Sequence, residues 1–141
     1  MTQRILVDTG VWYAMFVRRD QHAAEIQNKV EFLEAPYEVV IPWPTVYETL
    51  KSGFVKHAKA LDLFERFLKN PHVRFLNAEQ YLTDAFDLSF DLSLRRGRPM
   101  SMVDCLLRLL IDDVDVRIDG LLTFNARDFA DICLKRNVSI L

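Results

Sequence analysis

Acidic residues occur at points along the chain where turns or helix starts are expected, and their types are those of a metal site. Asp8 follows a short apolar run, Glu48 and Asp104 lie in amphipathic stretches, and Asn125 and Asp128 follow another apolar run. Two carboxylates about 4 Å apart repel by on the order of 4 kcal/mol at an effective dielectric near 20. Acids that converge therefore favour protonation or a bound cation. An all-oxygen donor set suits Mg²⁺ or Mn²⁺ rather than Zn²⁺.

Apolar segments that alternate with amphipathic ones predict the elements that position these acids. Strands are predicted over 5–7, 38–41, 73–76, 120–124 and 138–140, and Asp8-Thr9-Gly10 after the first strand is a turn or the start of a first helix. Apolar residues at three- and four-residue spacing predict helices over 23–33, 44–55, 61–68, 78–94, 101–111 and 125–133. This alternation predicts an α/β fold with a mainly parallel central sheet of about five strands, flanked by helices.

The predicted fold brings the acids to one edge of the sheet. In an open α/β sheet, ligands bind beyond the carboxyl ends of the strands, near the point where the strand order reverses. Asp8, Glu48 and Asp128 follow predicted strands and are expected at that edge. Asp104 reaches the same edge if its helix begins at Ser101.

Each acid taken alone has a simpler explanation, which is helix capping. A polar residue precedes an acid by three positions in Thr45-x-x-Glu48, Ser101-x-x-Asp104 and Asn125-x-x-Asp128. Such a cap stabilises a helix by about 1 kcal/mol. Capping does not explain convergence on one edge, whereas a divalent cation does.

Composition limits the protein class. The 141 residues are half hydrophobic, with no repeat or linker, which predicts one domain over 1–141. The net charge of −2 argues against a protein that coats nucleic acid through bulk positive charge. No apolar run has the length of a signal peptide or membrane helix. Cys105 and Cys133 are expected to be buried thiols in a reducing compartment, so we expect a soluble, cytoplasmic protein.

Four segments together resemble the motifs of the PIN domain family. They are ILVDTGVW (5–12), PTVYE (44–48), SMVDC (101–105) and TFNARDF (123–129). Their order and spacing, with Asp20 and His22 after the first helix, are similar to those of the small single-domain members. Those members are the VapC-type toxins of toxin–antitoxin pairs. The resemblance spans nearly the whole chain, and the four motifs together are more specific than any one.

The resemblance implies a PIN-like three-layer fold and a metal-dependent endoribonuclease that hydrolyses RNA phosphodiester bonds. It also implies a homodimer and a VapB-like antitoxin as protein partner. By position, Asp8, Glu48 and Asp104 would be catalytic residues and the core ligands of Mg²⁺, with Mn²⁺ as the other possible metal. The ion would activate a water molecule and polarise the phosphoryl oxygen.

The fourth ligand position has two interpretations. The family often has Asp where this chain has Asn125, and a neutral amide is a weaker ligand than a carboxylate. Either Asp128 supplies the missing charge as a catalytic and metal-binding residue, or the fourth ligand acts through water. Thr9 is a supporting residue that either hydrogen-bonds a ligand acid or substrate phosphate, or starts the first helix.

Basic residues near the acids are the predicted contacts for RNA phosphates. Arg95, Arg96 and Arg98 lie on an expected loop, and a second basic run comprises Lys51, Lys56 and Lys59. A solvated basic face is the competing explanation. If the three arginines bind RNA, replacing them with Ala should weaken binding and flatten its salt dependence.

Other protein classes share part of the pattern. Asp8-Thr9-Gly10 matches the aspartic protease motif, but the helical period that follows contradicts an all-β fold. A haloacid dehalogenase-type phosphatase needs a second Asp where Gly10 stands, and a receiver domain needs an Asp after its third strand and a late Lys. The serious alternative is a non-catalytic PIN-like module that binds RNA or a protein, for which Asn125 leaves room.

Overall fold

The structure is a computed structural model that describes residues 2–51 and 53–141. Within them, five strands form one sheet: β1 Arg4–Val7, β2 Glu38–Pro42, β3 Val73–Leu76, β4 Gly120–Leu122 and β5 Ser139–Ile140. The strand order is β3-β2-β1-β4-β5, and every neighbouring pair is parallel. The five predicted strands are confirmed, with small shifts at their ends.

Helices connect the strands. They are α1 Gly10–Phe16, α2 Ala23–Ile26, α3 Trp43–Lys51, α4 Ala58–Leu68, α5 Leu82–Phe90, α6 Met102–Asp112 and α7 Ala130–Arg136. Short 3₁₀ segments span Gln27–Leu33, Gly53–Lys56, Glu79–Tyr81 and Ala126–Asp128, and a π-helical turn spans Asp91–Arg95. The predicted helices are confirmed in outline but are divided into segments of different helical type. The helix predicted over 44–55 crosses position 52, which lies outside the described residues.

Local sequence explains several element ends. The β-branched run Val39–Ile41 favours a strand, and β2 ends at Pro42, which has no N–H to extend the ladder. Helix α6 follows Ser101, whose extended backbone and hydroxyl cap the first turn. Helix α7 ends at Asn137, which has a φ of 56° and adopts the left-handed conformation that often ends helices.

The sheet lies between two hydrophobic layers, as an alternating strand pattern requires. Ile5 and Val7 pack with α1 and α4 on one face, while Leu6 packs with α5, α6 and α7 on the other. Trp12 is fully buried in the first layer, against Phe64 at a ring-centroid distance of 5.1 Å. Membrane crossing would need a longer and more apolar helix than any in the described part of the chain.

Both cysteines are buried in the second layer and are not disulfide-bonded. Burial raises the pKa of Cys133 to about 11 and also raises the pKa of Cys105. The predicted burial of these thiols is confirmed, and the thiolate forms that react as nucleophiles are disfavoured.

The strand order reverses at the β1–β4 pair, because β2 and β3 lie on one side of it and β5 on the other. Val7 pairs with Leu122 at the carboxyl ends of these strands. Asp8 and Thr123 therefore leave the sheet next to each other. This is the position at which parallel α/β sheets bind ligands.

Candidate metal centre

Asp8 is held in place by neighbours on both sides of the reversal point. Its backbone N–H donates to the carbonyl of Leu122 at 3.0 Å, which continues the pairing beyond β1. One carboxylate oxygen accepts the N–H of Thr9 at 2.8 Å, and the other accepts the hydroxyl of Thr123 at 2.8 Å. The half-buried carboxylate is thus fixed in orientation.

Thr123 is a site residue that the sequence interpretation missed. Besides donating to Asp8, its hydroxyl oxygen accepts the backbone N–H of Asn125 at 3.0 Å. It therefore connects the first acid to the loop that bears Asn125 and Asp128, the two candidates for the fourth ligand. The signal in the sequence is a lone polar residue after the apolar run Leu121-Leu122, in the place that Asp8 occupies after β1.

Asp104 lies in the first turn of α6, far from Asp8 in the sequence. Its N–H donates to the hydroxyl of Ser101 at 3.1 Å, so the capping interpretation is correct for this pair. Burial raises the pKa of Asp104 to about 6, and the negative charge of Asp8 is the next largest cause. Capping positions the acid at the start of α6, where the charge of Asp8 contributes to its raised pKa.

Glu48 and Asp128 contribute their charges to the same region. Glu48 is exposed on α3, and Asp128 is half-buried at the end of the 3₁₀ turn that follows β4. Burial raises the pKa of Asp8, and the charges of Glu48 and Asp128 raise it further, as they do for Asp104. Across the described ranges, none of these four acids has a basic partner within ion-pair distance.

The other two capping interpretations are wrong. Thr45 lies inside α3 and donates its hydroxyl to the carbonyl of Pro42 at 2.7 Å. The side chain of Asn125 makes no capping hydrogen bond to the 3₁₀ turn and instead donates to the carboxylate of Asp128. Helix initiation therefore does not account for Glu48 or Asp128.

One of the comparisons with known proteins, the comparison of structures, agrees with this architecture. No family model and no curated relative matches the sequence. The structure is similar to a chain of VapBC2 from Rickettsia felis, solved bound to a DNA fragment from their promoter. The TM-score is 0.59 at 16% sequence identity, over 99% of this chain and 98% of that chain. The protein has a PIN-like fold. The three-layer architecture predicted from the sequence is thereby confirmed.

Within the PIN-like fold, Thr9 has an unusual environment. Its side chain is buried, and in the described part of the chain its hydroxyl has no hydrogen-bond partner. It occupies the N-cap position of α1 but makes no side-chain capping bond. A buried hydroxyl without a partner is costly, so a group that binds beside Asp8 would satisfy it.

The donor set fits a hard cation in its chemistry. All four acids offer carboxylate oxygens, the ligands preferred by Mg²⁺ and Mn²⁺. Among residues 2–51 and 53–141, no three His, Cys, Asp or Glu side chains are already arranged as a coordination shell. The acids are close enough to raise one another's pKa values, and a divalent cation would relieve that repulsion.

The three arginines predicted to contact RNA all have acidic partners. Arg95 and Arg96 lie 3.8 and 3.1 Å from the carboxylate of Asp91. Arg98 donates to the carboxylate of Asp131 at 3.2 Å. Their role in RNA binding stays a prediction, and the ion pairs lower the positive charge that they present.

Proposed function

We propose that this protein is a metal-dependent ribonuclease that hydrolyses RNA phosphodiester bonds, as the toxin of a toxin–antitoxin pair. The observation that supports it best is the group of acids at the reversal point of the sheet. Burial and mutual repulsion raise the pKa values of Asp8 and Asp104, and no basic residue in the described ranges neutralises either carboxylate. A bound cation would offset this repulsion.

In this proposal, Asp8, Glu48, Asp104 and Asp128 hold Mg²⁺, or Mn²⁺ in its place. The bound ion would polarise the phosphoryl oxygen and make water a stronger nucleophile. Ligand residues need support from neighbouring hydrogen bonds to keep their orientation.

The supporting residues have separate tasks. Thr123 and the N–H of Thr9 orient Asp8, and the capped start of α6 positions Asp104. Asn125 donates to Asp128, so we assign it the role of holding that carboxylate rather than of binding the ion directly. The Thr9 hydroxyl is left to donate to an oxygen of the bound substrate.

Incubation with RNA tests the proposal. The purified protein should cleave RNA with Mg²⁺ or Mn²⁺ and should stop when a chelator is added. The variants Asp8→Asn and Asp104→Asn should not cleave RNA but should still bind it. Cleavage that persists in both variants would mean that a contaminant or another site is responsible.

A second candidate function is a non-catalytic module that binds RNA or a protein. Two observations favour it: Asn125 stands where the family often has Asp, and the described acids are not prearranged as a complete shell. Calorimetric titration with Mn²⁺ measures cation binding, and together with the cleavage assay it distinguishes the two functions. Cation binding with cleavage supports the ribonuclease, whereas an absence of cleavage on a broad set of RNAs supports the binding module.

The biological setting can be tested in cells. A VapB-like antitoxin is the proposed partner, a homodimer the proposed assembly and the cytoplasm the proposed location, with residues 1–141 acting as one domain. A short reading frame for an antitoxin should lie beside the gene, and its co-expression should relieve growth arrest. Light scattering should give the mass of a dimer. Growth that is unaffected by strong expression of the active protein would contradict the toxin role.

A further inference from the structure

A group of cations without acidic partners surrounds an open pocket of about 560 Å³. Arg18 and Arg19 follow α1, and Lys59 lies in the first turn of α4. In the part of the chain that the structure describes, no carboxylate lies within ion-pair distance of these three residues. The described residues that line the pocket include no Asp or Glu. In a chain with a net charge of −2, this is a local excess of positive charge.

The pocket combines an apolar base with charged sides. Phe16 and Leu63 supply apolar surface, on which long basic side chains can lay their methylene groups while the charged heads stay exposed. His57, just before the first residue of α4, also lines the pocket. This arrangement presents positive charge to a ligand without burying it.

The chain itself connects this pocket to the candidate metal centre. Helix α1 begins just after Thr9 and ends at Phe16, so its length of seven residues spans roughly 10 Å. The chain then passes Arg18 and Arg19 and returns to the centre at His22. The ring of His22 stacks on Phe124, which lies between Thr123 and Asn125, with a centroid distance of 4.2 Å.

We infer that Arg18, Arg19 and Lys59 bind backbone phosphates of the RNA substrate a few nucleotides from the cleaved bond. The inference rests on the proposed ribonuclease function. Guanidinium groups match phosphate oxygens in pairs, and backbone contacts position a nucleic acid without reading its sequence. Arg95, Arg96 and Arg98 are less suited to this role, because each already has an acidic partner.

The test measures the affinity for a labelled 20-nucleotide single-stranded RNA of mixed sequence over a series of salt concentrations. A chelator is present, so that binding is observed without cleavage. The variant R18A/R19A/K59A is compared with R66A/K69A/R74A. This control also removes two arginines and one lysine. Their partners are Asp62 for Arg66, Glu65 for Lys69 and the carbonyl of Pro71 for Arg74.

Three lost phosphate contacts should lower the slope of log affinity against log salt by about two, since each contact on a single strand contributes about 0.7. The control variant should keep the wild-type slope. Circular dichroism checks that both variants fold. If the alanine variant does not fold, R18Q/R19Q/K59Q keeps the side-chain length while removing the charge, and the same loss of slope is expected.

The outcomes separate this inference from the proposed function. Equal slopes for both variants, or no RNA binding by the wild type, would overturn the inference. Cleavage by the wild type with an unchanged slope in the pocket variant would overturn the inference and keep the ribonuclease. If the pocket variant has a lower salt slope but the wild type cleaves no RNA, the pocket binds RNA and the proposed ribonuclease function is wrong. Loss of antitoxin binding with normal RNA binding would assign the pocket to the protein partner and overturn the inference.

Discussion

Asp104 and Asp131 lie on two helices that pack together, α6 and α7, but their surroundings are opposite. Two guanidinium nitrogens of Arg108 donate to the Asp131 carboxylate at 2.7 and 2.9 Å, and Arg98 adds a bond at 3.2 Å. These bonds lower the pKa of Asp131 well below its usual range, and the bond from Arg108 has the largest effect. Among the residues that the structure describes, Asp104 has no such partner, and burial raises its pKa to about 6.

Arg108 could have neutralised Asp104 instead. It lies four residues later on α6, at the spacing that allows ion pairs on a helix. In the structure its guanidinium reaches α7 and the carbonyl of Asp128 at 2.8 Å. The arginine therefore stabilises the loop that bears Asp128 and leaves Asp104 unneutralised. Paired acids support the fold here, whereas the charges of the unpaired acids are the ones that the proposed cation would offset.

The largest expected effect distinguishes these two kinds of acid. Asp104→Asn should lower RNA cleavage on the order of 10³-fold, because it removes a charged ligand while keeping the side-chain shape. Asp131→Asn should leave cleavage within a few-fold of the wild type. Cleavage rates with Mg²⁺ measure both. An equal loss in the two variants would break the comparison.

Thr123→Val should lower cleavage by roughly 10- to 100-fold, as expected for the loss of a residue that orients a metal ligand. The valine cannot donate to Asp8, and without that hydrogen bond the pKa of Asp8 should rise further. Thr123→Ser keeps the hydroxyl and should retain most activity. A serine variant as impaired as the valine variant would indicate a packing role instead.

Arg108→Ala should act on stability. Its side chain is mostly buried and bonds both Asp131 and the carbonyl of Asp128, so we expect a loss of about 2 kcal/mol in the free energy of unfolding. Arg66→Ala removes an exposed ion pair with Asp62 and should cost less than about 1 kcal/mol. Urea denaturation compares the two, and equal costs would contradict the structural role of Arg108.

Stability should depend on pH through Asp104. Its pKa rises from 3.8 to about 6 on folding, so between these values the folded state binds more protons than the unfolded state. The metal-free protein should therefore lose stability as the pH rises from about 4 to about 6. Because Mg²⁺ offsets the carboxylate charges, the increase in Tm on adding it should be larger above this window than below it. Asp104→Asn should reduce this difference, and an increase in Tm that is independent of pH would argue against a cation at Asp104.

The smallest expected effect concerns the arginines that already have partners. Arg95→Ala with Arg96→Ala should change the salt slope of RNA binding by less than about 0.5, since both side chains pair with Asp91. Titration of labelled RNA in a chelator measures it. A decrease in the salt slope as large as that expected for the pocket variant would show that Arg95 and Arg96 bind RNA phosphates.

Much of the fold followed from local patterns. The β-branched run at 38–41, the short segment 73–76 and the apolar runs at 5–7 and 120–124 were sufficient to place the parallel strands. The helices were less well predicted, because the same apolar periodicity fits α, 3₁₀ and π turns when neighbouring elements set the spacing. The segment 78–94 shows this, since it contains all three types.

The sequence by itself determined that Asp8 follows β1 and that Asp104 lies in the first turn of α6, because the apolar run of the strand and the Ser101 cap are local properties. The position of the reversal point between β1 and β4 depends on the strand order, which the sequence did not predict. The partners of those acids were decided only by the tertiary structure. Arg108 bonds Asp131 rather than Asp104, and Thr123 rather than a neighbour on α1 orients the second oxygen of Asp8. Hydrogen bonds and ion pairs depend on distances of a few ångströms between distant segments, and no local pattern encodes those distances.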